Sequence, residues 1–112
     1  MATLDECRSA LERLVGQLTS TEAARQRAAG FDRTISCTIP DLGETFSGHL
    51  RGGQISDITT APAPRAQIRL TSRSDDLVAI ADGRLPAGEA WKTGRFKVQA
   101  SMMDLLKLKS LF

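Results

Sequence analysis

The sequence predicts an α+β fold, a single sheet with helices over one face. Apolar residues recur at helical spacing at both ends of the chain and alternate with polar ones in between, the periods of an amphipathic helix and a half-buried strand. The order is a helix, about four antiparallel strands, then helices and a last strand. Such segregation marks α+β rather than alternating α/β architecture. With 112 residues, of which 41% are apolar and 25% charged, the chain is sized for one core, and 1–112 is read as one domain.

Thr3-Leu4-Asp5-Glu6 matches a capping box, and Leu4, Cys7, Leu11, Leu14, Val15 and Leu18 follow as one apolar stripe. A second capping box, Thr19-Ser20-Thr21-Glu22, opens an Ala- and Arg-rich helix that Gly30 closes. From Asp32 the period changes. Ile35, Cys37 and Ile39 alternate with Thr34, Ser36 and Thr38 in a strand that Pro40 stops. Phe46, Gly48 and Leu50 alternate with polar neighbours in the next, and Gly52-Gly53 suits the tight turn of a hairpin returning through 54–60. Ala61-Pro62-Ala63-Pro64 is a stiff connector to a strand containing Ile68 and Leu70. Ser72 to Asp76 supplies a hydroxyl cap and two carboxylates at the start of a short helix, filled by Leu77, Val78, Ile80 and Ala81 and ended by Gly83. A helical turn over 85–91, a strand with Phe96, Val98 and Ala100 on its dry face, and a final helix over 102–112 complete the chain. The wet face of the sheet is expected to carry His49, Arg51, Arg69, Arg95 and Lys97.

Composition excludes several functions. A net charge of +2, from 15 basic and 13 acidic residues, lacks the excess that nucleic-acid binding exploits. Aromatics are 4% with no Tyr, which argues against base-stacking platforms. One His and two Cys cannot build a closed zinc site without carboxylates, so no metal or other cofactor is expected. His49 has no recognisable base, nucleophile or metal partner and reads as a surface residue, while Asp75 and Asp76 read as helix-start carboxylates. No nucleophile elbow, zinc-protease helix motif or phosphate-binding P-loop occurs, so no catalytic residue and no enzyme is expected. The acidic start Asp5-Glu6, the lack of a long apolar run and the ending Lys109-Ser110-Leu111-Phe112 set the expectation of a cytoplasmic protein with no signal peptide, membrane span or peroxisomal address. Cys7 and Cys37 read as buried reduced thiols.

The last helix is the most informative segment. Met102, Met103, Leu105, Leu106, Leu108, Leu111 and Phe112 spread over more of a helical wheel than one sheet-covering stripe needs. Two readings stand at this point. The helix is buried from several sides or frayed, or one arc packs on the sheet while another lines a cavity or meets a partner. Neighbouring Met residues suit a pocket for varied apolar ligands, and Lys107 and Lys109 suit transient contact with an anionic membrane surface.

From Gln67 onward the chain resembles the sterol carrier protein 2 family. The resemblance rests on Ile68-Arg69-Leu70-Thr71, Ser74-Asp75-Asp76-Leu77, Ala81-Asp82-Gly83-Arg84-Leu85, Ala90-Trp91, Gly94-Arg95-Phe96-Lys97-Val98 and the Leu/Lys helix of 102–108, in that order. The sequence departs at Ala100, where the family usually has Gly, and at Pro86-Ala87-Gly88. The resemblance implies a five-stranded, largely antiparallel sheet covered by helices around an apolar tunnel. It further implies non-covalent binding and transfer of fatty acid, fatty acyl-CoA, sterol or isoprenoid. The family's tunnel lining maps onto Ile68, Leu70, Leu77, Ile80, Trp91, Phe96, Val98, Met102, Met103, Leu105 and Leu106. The expected partner is therefore a hydrophobic small molecule. The alternative is an accessory module of the same fold that fills its cavity with side chains and works through protein contacts.

Overall fold

A computed structural model describes residues 2–17, 21–28, 30, 32–52 and 54–111, with the backbone alone at 24, 27, 28, 110 and 111. The elements run α1 (Leu4–Gln17), α2 (Glu22–Ala28), β1 (Asp32–Ile39), β2 (Glu44–Arg51), β3 (Gln54–Thr60), β4 (Ile68–Ser72), α3 (Ser74–Ala81), α4 (Ala87–Lys92), β5 (Phe96–Gln99) and α5 (Met102–Leu111). The expectations for Leu18, Thr19, Ser20, Gly53 and Phe112, and for the side chain of Leu111, lie outside the described residues.

The first capping box forms as the sequence predicts. The Thr3 amide donates to Glu6 Oε1 at 3.0 Å and the Glu6 amide donates to Thr3 Oγ1 at 3.2 Å. The stripe behind it buries Cys7, Ala10, Leu11, Leu14 and Val15. Arg13 pairs with Asp82 at 2.6 Å and Gln17 donates to the Ala81 carbonyl at 3.0 Å, fastening α1 along α3.

The five strands form one sheet in the order β3-β2-β1-β4-β5. Every neighbouring pair is antiparallel except β1 and β4, which run parallel with Ile35 opposite Ile68 and Cys37 opposite Leu70. The run of antiparallel strands expected from sequence is corrected at this one place, and the cause is the connector. β3 lies at one edge, so residues 61–67 must cross three strand spacings, about 14 Å, to reach the far side of β1. A connection that crosses the sheet face lets β4 keep the direction of β3 and β1. Pro62, Ala63 and Pro64 lie over the face formed by Ser36, Thr38, Thr45 and Arg69, which is why Ser36 is buried on what the alternation reads as the wet side. The Gln67 amide donates to Thr34 Oγ1 at 2.9 Å while the Thr34 amide donates to Gln67 Oε1 at 3.1 Å, pinning the register where β4 begins.

The opposite face is dry. Ile35, Cys37 and Ile39 of β1, Phe46 and Leu50 of β2, Ile68 and Leu70 of β4 and Phe96 of β5 join the buried faces of α1 and α3 in one apolar core. The start of α3 differs from the expected hydroxyl cap. Arg73 occupies the cap position without a side-chain bond. Asp41, in the β1–β2 turn, accepts instead from the Ser74 amide at 2.9 Å and the Ser74 hydroxyl at 2.5 Å. The helical turn expected over 85–91 is α4, which starts two residues later because Pro86 stays extended.

Candidate functional site

Between the dry face of the sheet and the helices lies a small enclosed cavity of about 20 Å³, lined only by apolar side chains. Its floor is Ile35, Leu50, Ile68, Leu70, Phe96 and Val98; Leu14 and Val15 of α1 form one wall, and Leu108 of α5 closes it. The volume is about that of one water-sized probe, and an apolar void of this kind stays dry. Beside it, burial in the core pushes the Cys37 thiol up to about 12, and Cys7 is raised by the same cause, so both stay protonated and unreactive at neutral pH.

Several described contacts hold α5 over the cavity. Ser101 caps it, its hydroxyl accepting from the Asp104 amide at 3.2 Å and its carbonyl from the Leu105 amide at 2.8 Å. Asp104 is turned inward and pairs with Arg33 Nε on β1 at 3.1 Å. Leu108 is 4% exposed and enters the core one helical turn further on. Near the far end Lys109 stands 5.9 Å from the Trp91 ring centre.

The structure sorts the site residues expected from sequence into three groups. Ile68, Leu70, Phe96 and Val98 meet on the cavity floor. Leu77 and Ile80 are buried in the core but do not line the cavity, and Trp91 and Leu105 are half-buried and do not line it either. Met102, Met103 and Leu106 are corrected: they face solvent, 73%, 76% and 59% exposed. A wheel counts apolar positions without saying which arc meets the core, and here Asp104 and Leu108 claim the inward arc. The reading of α5 as buried from several sides is set aside by the same exposures. Leu14, Val15, Ile35, Leu50 and Leu108 were not named as lining. Their signal lies in the α1 stripe, the strand alternation and, for Leu108, the apolar set of the last helix, but only the tertiary fold brings these segments together. His49 is half-buried beside Asp32, which also pairs with Arg51 at 3.3 Å; the imidazole and the guanidinium together hold the Asp32 carboxyl below the ordinary carboxylate range.

Fold and cavity together define a small α+β domain built around an apolar space under a terminal helix. The sequence profile of the SCP-2 sterol transfer family matches residues 11–112, and this chain belongs to that family. Solved structures show the same fold. Palmitated SCP2L2 from Aedes aegypti shares 15% identity over 98% of this chain and 94% of its own, with a TM-score of 0.64. Apo sterol carrier protein 2 from Yarrowia lipolytica shares 22% over 94% and 97%, with a TM-score of 0.58. The stereoselective inverting sec-alkylsulfatase Pisa1 of a Pseudomonas species shares 24% over 78% of this chain, with a TM-score of 0.59, and this chain spans 13% of the sulfatase's length. No curated protein matches the chain. Among the described residues no helix is long and apolar enough to cross a membrane.

Proposed function

We propose that this chain binds and transfers a hydrophobic lipid, of the fatty acid, fatty acyl-CoA, sterol or isoprenoid class, without covalent chemistry. The observation that carries the reading is the apolar cavity closed by one side chain, Leu108, of a helix whose outer arc is also apolar. About 20 Å³ holds no lipid, so the structure is the closed state in this reading. Uptake requires α5 to swing on its Ser101 cap, withdraw Leu108 and break the Arg33–Asp104 pair. Each methylene then removed from water contributes about 0.8 kcal/mol, so an acyl chain offsets the opening cost within a few carbons. In the open state Met102, Met103 and Leu106 are the side chains nearest to hand for covering the ligand or touching a membrane during transfer. Residues 1–112 would act as one lipid-carrying domain, and the free thiols Cys7 and Cys37 accord with a reducing, cytoplasmic setting.

Trp91 is the sole tryptophan and lies under Lys109, so its emission reports displacement of α5. Titration with a fluorescent fatty acid should saturate at micromolar concentration and shift Trp91 emission in parallel. If fatty acid, acyl-CoA, sterol and isoprenoid probes all fail to bind at that concentration, the reading is wrong.

The accessory-module reading draws on the same numbers differently. A nearly filled cavity beside the exposed Met102, Met103 and Leu106 suits a protein that presents α5 to a partner. Saturable lipid uptake that moves Trp91 removes this second reading. Native mass spectrometry of freshly purified protein, by detecting a bound lipid or its absence, separates the two directly.

A further inference from the structure

A broad concavity lies away from the apolar cavity, at the end of the sheet where the parallel strands β1 and β4 finish and their connections part. Crevices outside the carboxyl ends of parallel strands, where successive connections diverge, are favourable places for polar ligands. This one is about 580 Å³, in the size range of a small-molecule site. Three cations from three positions line it: Arg73 between β4 and α3, Arg95 before β5, and Lys97 within β5. All three are exposed.

Two carboxylates share the crevice, Asp41 and Asp76. Asp41 is already engaged, with one oxygen on the Ser74 amide and the other on its hydroxyl. Arg73 lies near enough to favour its anion, yet none of the three cations makes an ion pair with a carboxylate among the described residues. The hydroxyls of Thr71 and Thr93 line the same space as further donors. Three cations against two carboxylates, one of them held by Ser74, leave the opening net positive, and the cations oppose one another in the free protein. A polyvalent anion relieves that opposition.

We propose that this crevice binds a phosphate-bearing ligand, a phosphomonoester or diphosphate group clamped by Arg73, Arg95 and Lys97. Arginine guanidinium forks match phosphate oxygens in pairs, and the lysine adds a compact charge. The group could belong to a free small molecule or to a lipid headgroup, since both present the same oxygens. The site is separated from the lipid cavity by the sheet: Arg95 and Lys97 flank Phe96, whose side chain points the other way into the cavity floor. It therefore stands or falls independently of the lipid-carrier reading.

The test is an amide NMR titration with pyrophosphate, using chloride at matched ionic strength as the control. Saturable shifts confined to Asp41, 71–76 and 93–97 support the site. Arg95→Ala should weaken the affinity about tenfold, as loss of one charge-assisted contact does, while Arg51→Ala leaves it unchanged. Because Arg95 pairs with no carboxylate among the described residues, its replacement should leave thermal stability in chloride intact and remove only the stabilisation added by pyrophosphate. Vesicles of phosphatidylcholine with and without phosphatidic acid then identify the source: the same shifts with the anionic vesicles mean a headgroup, and shifts with pyrophosphate alone mean a free phosphate ester. No saturable shift with either probe, shifts spread over every exposed Lys and Arg, or equal affinity in Arg95→Ala overturns the proposal.

Discussion

At Asp41 one carboxylate joins two segments far apart in sequence, taking both polar groups of Ser74, whose hydroxyl also accepts from the Ala2 amide at 3.2 Å. The two bonds from Ser74 hold the Asp41 carboxyl below its ordinary range. A depressed folded value means the stabilisation is fully present above the unfolded value, about 3.9, and is lost as pH falls through the folded one. The melting-temperature gap between the wild type and Asp41→Asn should therefore be constant at neutral pH and narrow below about pH 4. A gap that does not depend on pH would show that the carboxylate charge is irrelevant. Gly48 makes a different residue-scale demand. The β2–β3 register shifts between Ser47 and His49, and across the shift Asp57 takes a left-handed φ of 57°. A Cβ at Gly48 would sit 3.0 Å from the Ser56 carbonyl oxygen and 3.3 Å from the Ile55 side chain. Gly48→Ala should destabilise by about 1–2 kcal/mol in urea unfolding, since backbone rather than a pliable side chain must yield. An unchanged midpoint would mean that the bulge relaxes freely.

Among the elements, α5 is tied to β1 by an ion pair that can be weakened from the helix side. Among its described side chains, Asp104 on Arg33 and Leu108 in the core are the buried ones. Asp104→Asn removes the charge but keeps the shape, so amide hydrogen exchange should quicken across α5 while β1 and β2 hold their protection. Uniform quickening over the whole chain would instead mean that the pair supports the global fold. Elements also show where the sequence was legible. The α1 stripe from Cys7 to Val15, the dry alternation of β1, β2, β4 and β5 and the Thr3–Glu6 box are set by neighbours within a few residues, and these appear as read. The parallel β1–β4 pair depends on where a seven-residue connector lands, and the α3 cap comes from Asp41, 33 residues away. Local pattern cannot carry either. Four of the six floor residues, Ile68, Leu70, Phe96 and Val98, were mapped through the family resemblance, and strand alternation puts all six on dry faces; the outward placement of Met102, Met103 and Leu106 depended on tertiary competition for one helix face.

Over the whole molecule the sheet is a partition, with a dry, nearly closed cavity on its helical side and a wide cationic crevice at one end. The closed cavity makes stability and binding capacity opposing quantities, and Leu108 is where they meet. Truncating a buried leucine removes its transfer energy and leaves a void, costing about 2–5 kcal/mol, with the low end expected here because α5, exposed at Met102, Met103 and Leu106, can collapse or lift. Leu108→Ala should therefore melt earlier than the wild type in the absence of ligand. The same change removes the stopper that a lipid must displace, so the variant should take up a fluorescent fatty acid faster and more tightly. Ligand that binds only the folded state adds stability in proportion to RT ln(1 + [L]/Kd), so saturating fatty acid should restore more melting temperature to Leu108→Ala than it adds to the wild type. A variant that melts early and gains nothing from ligand would mean that the space beneath α5 is core and not a binding cavity. Recovery with ligand, together with faster uptake, would identify the helix as the gate.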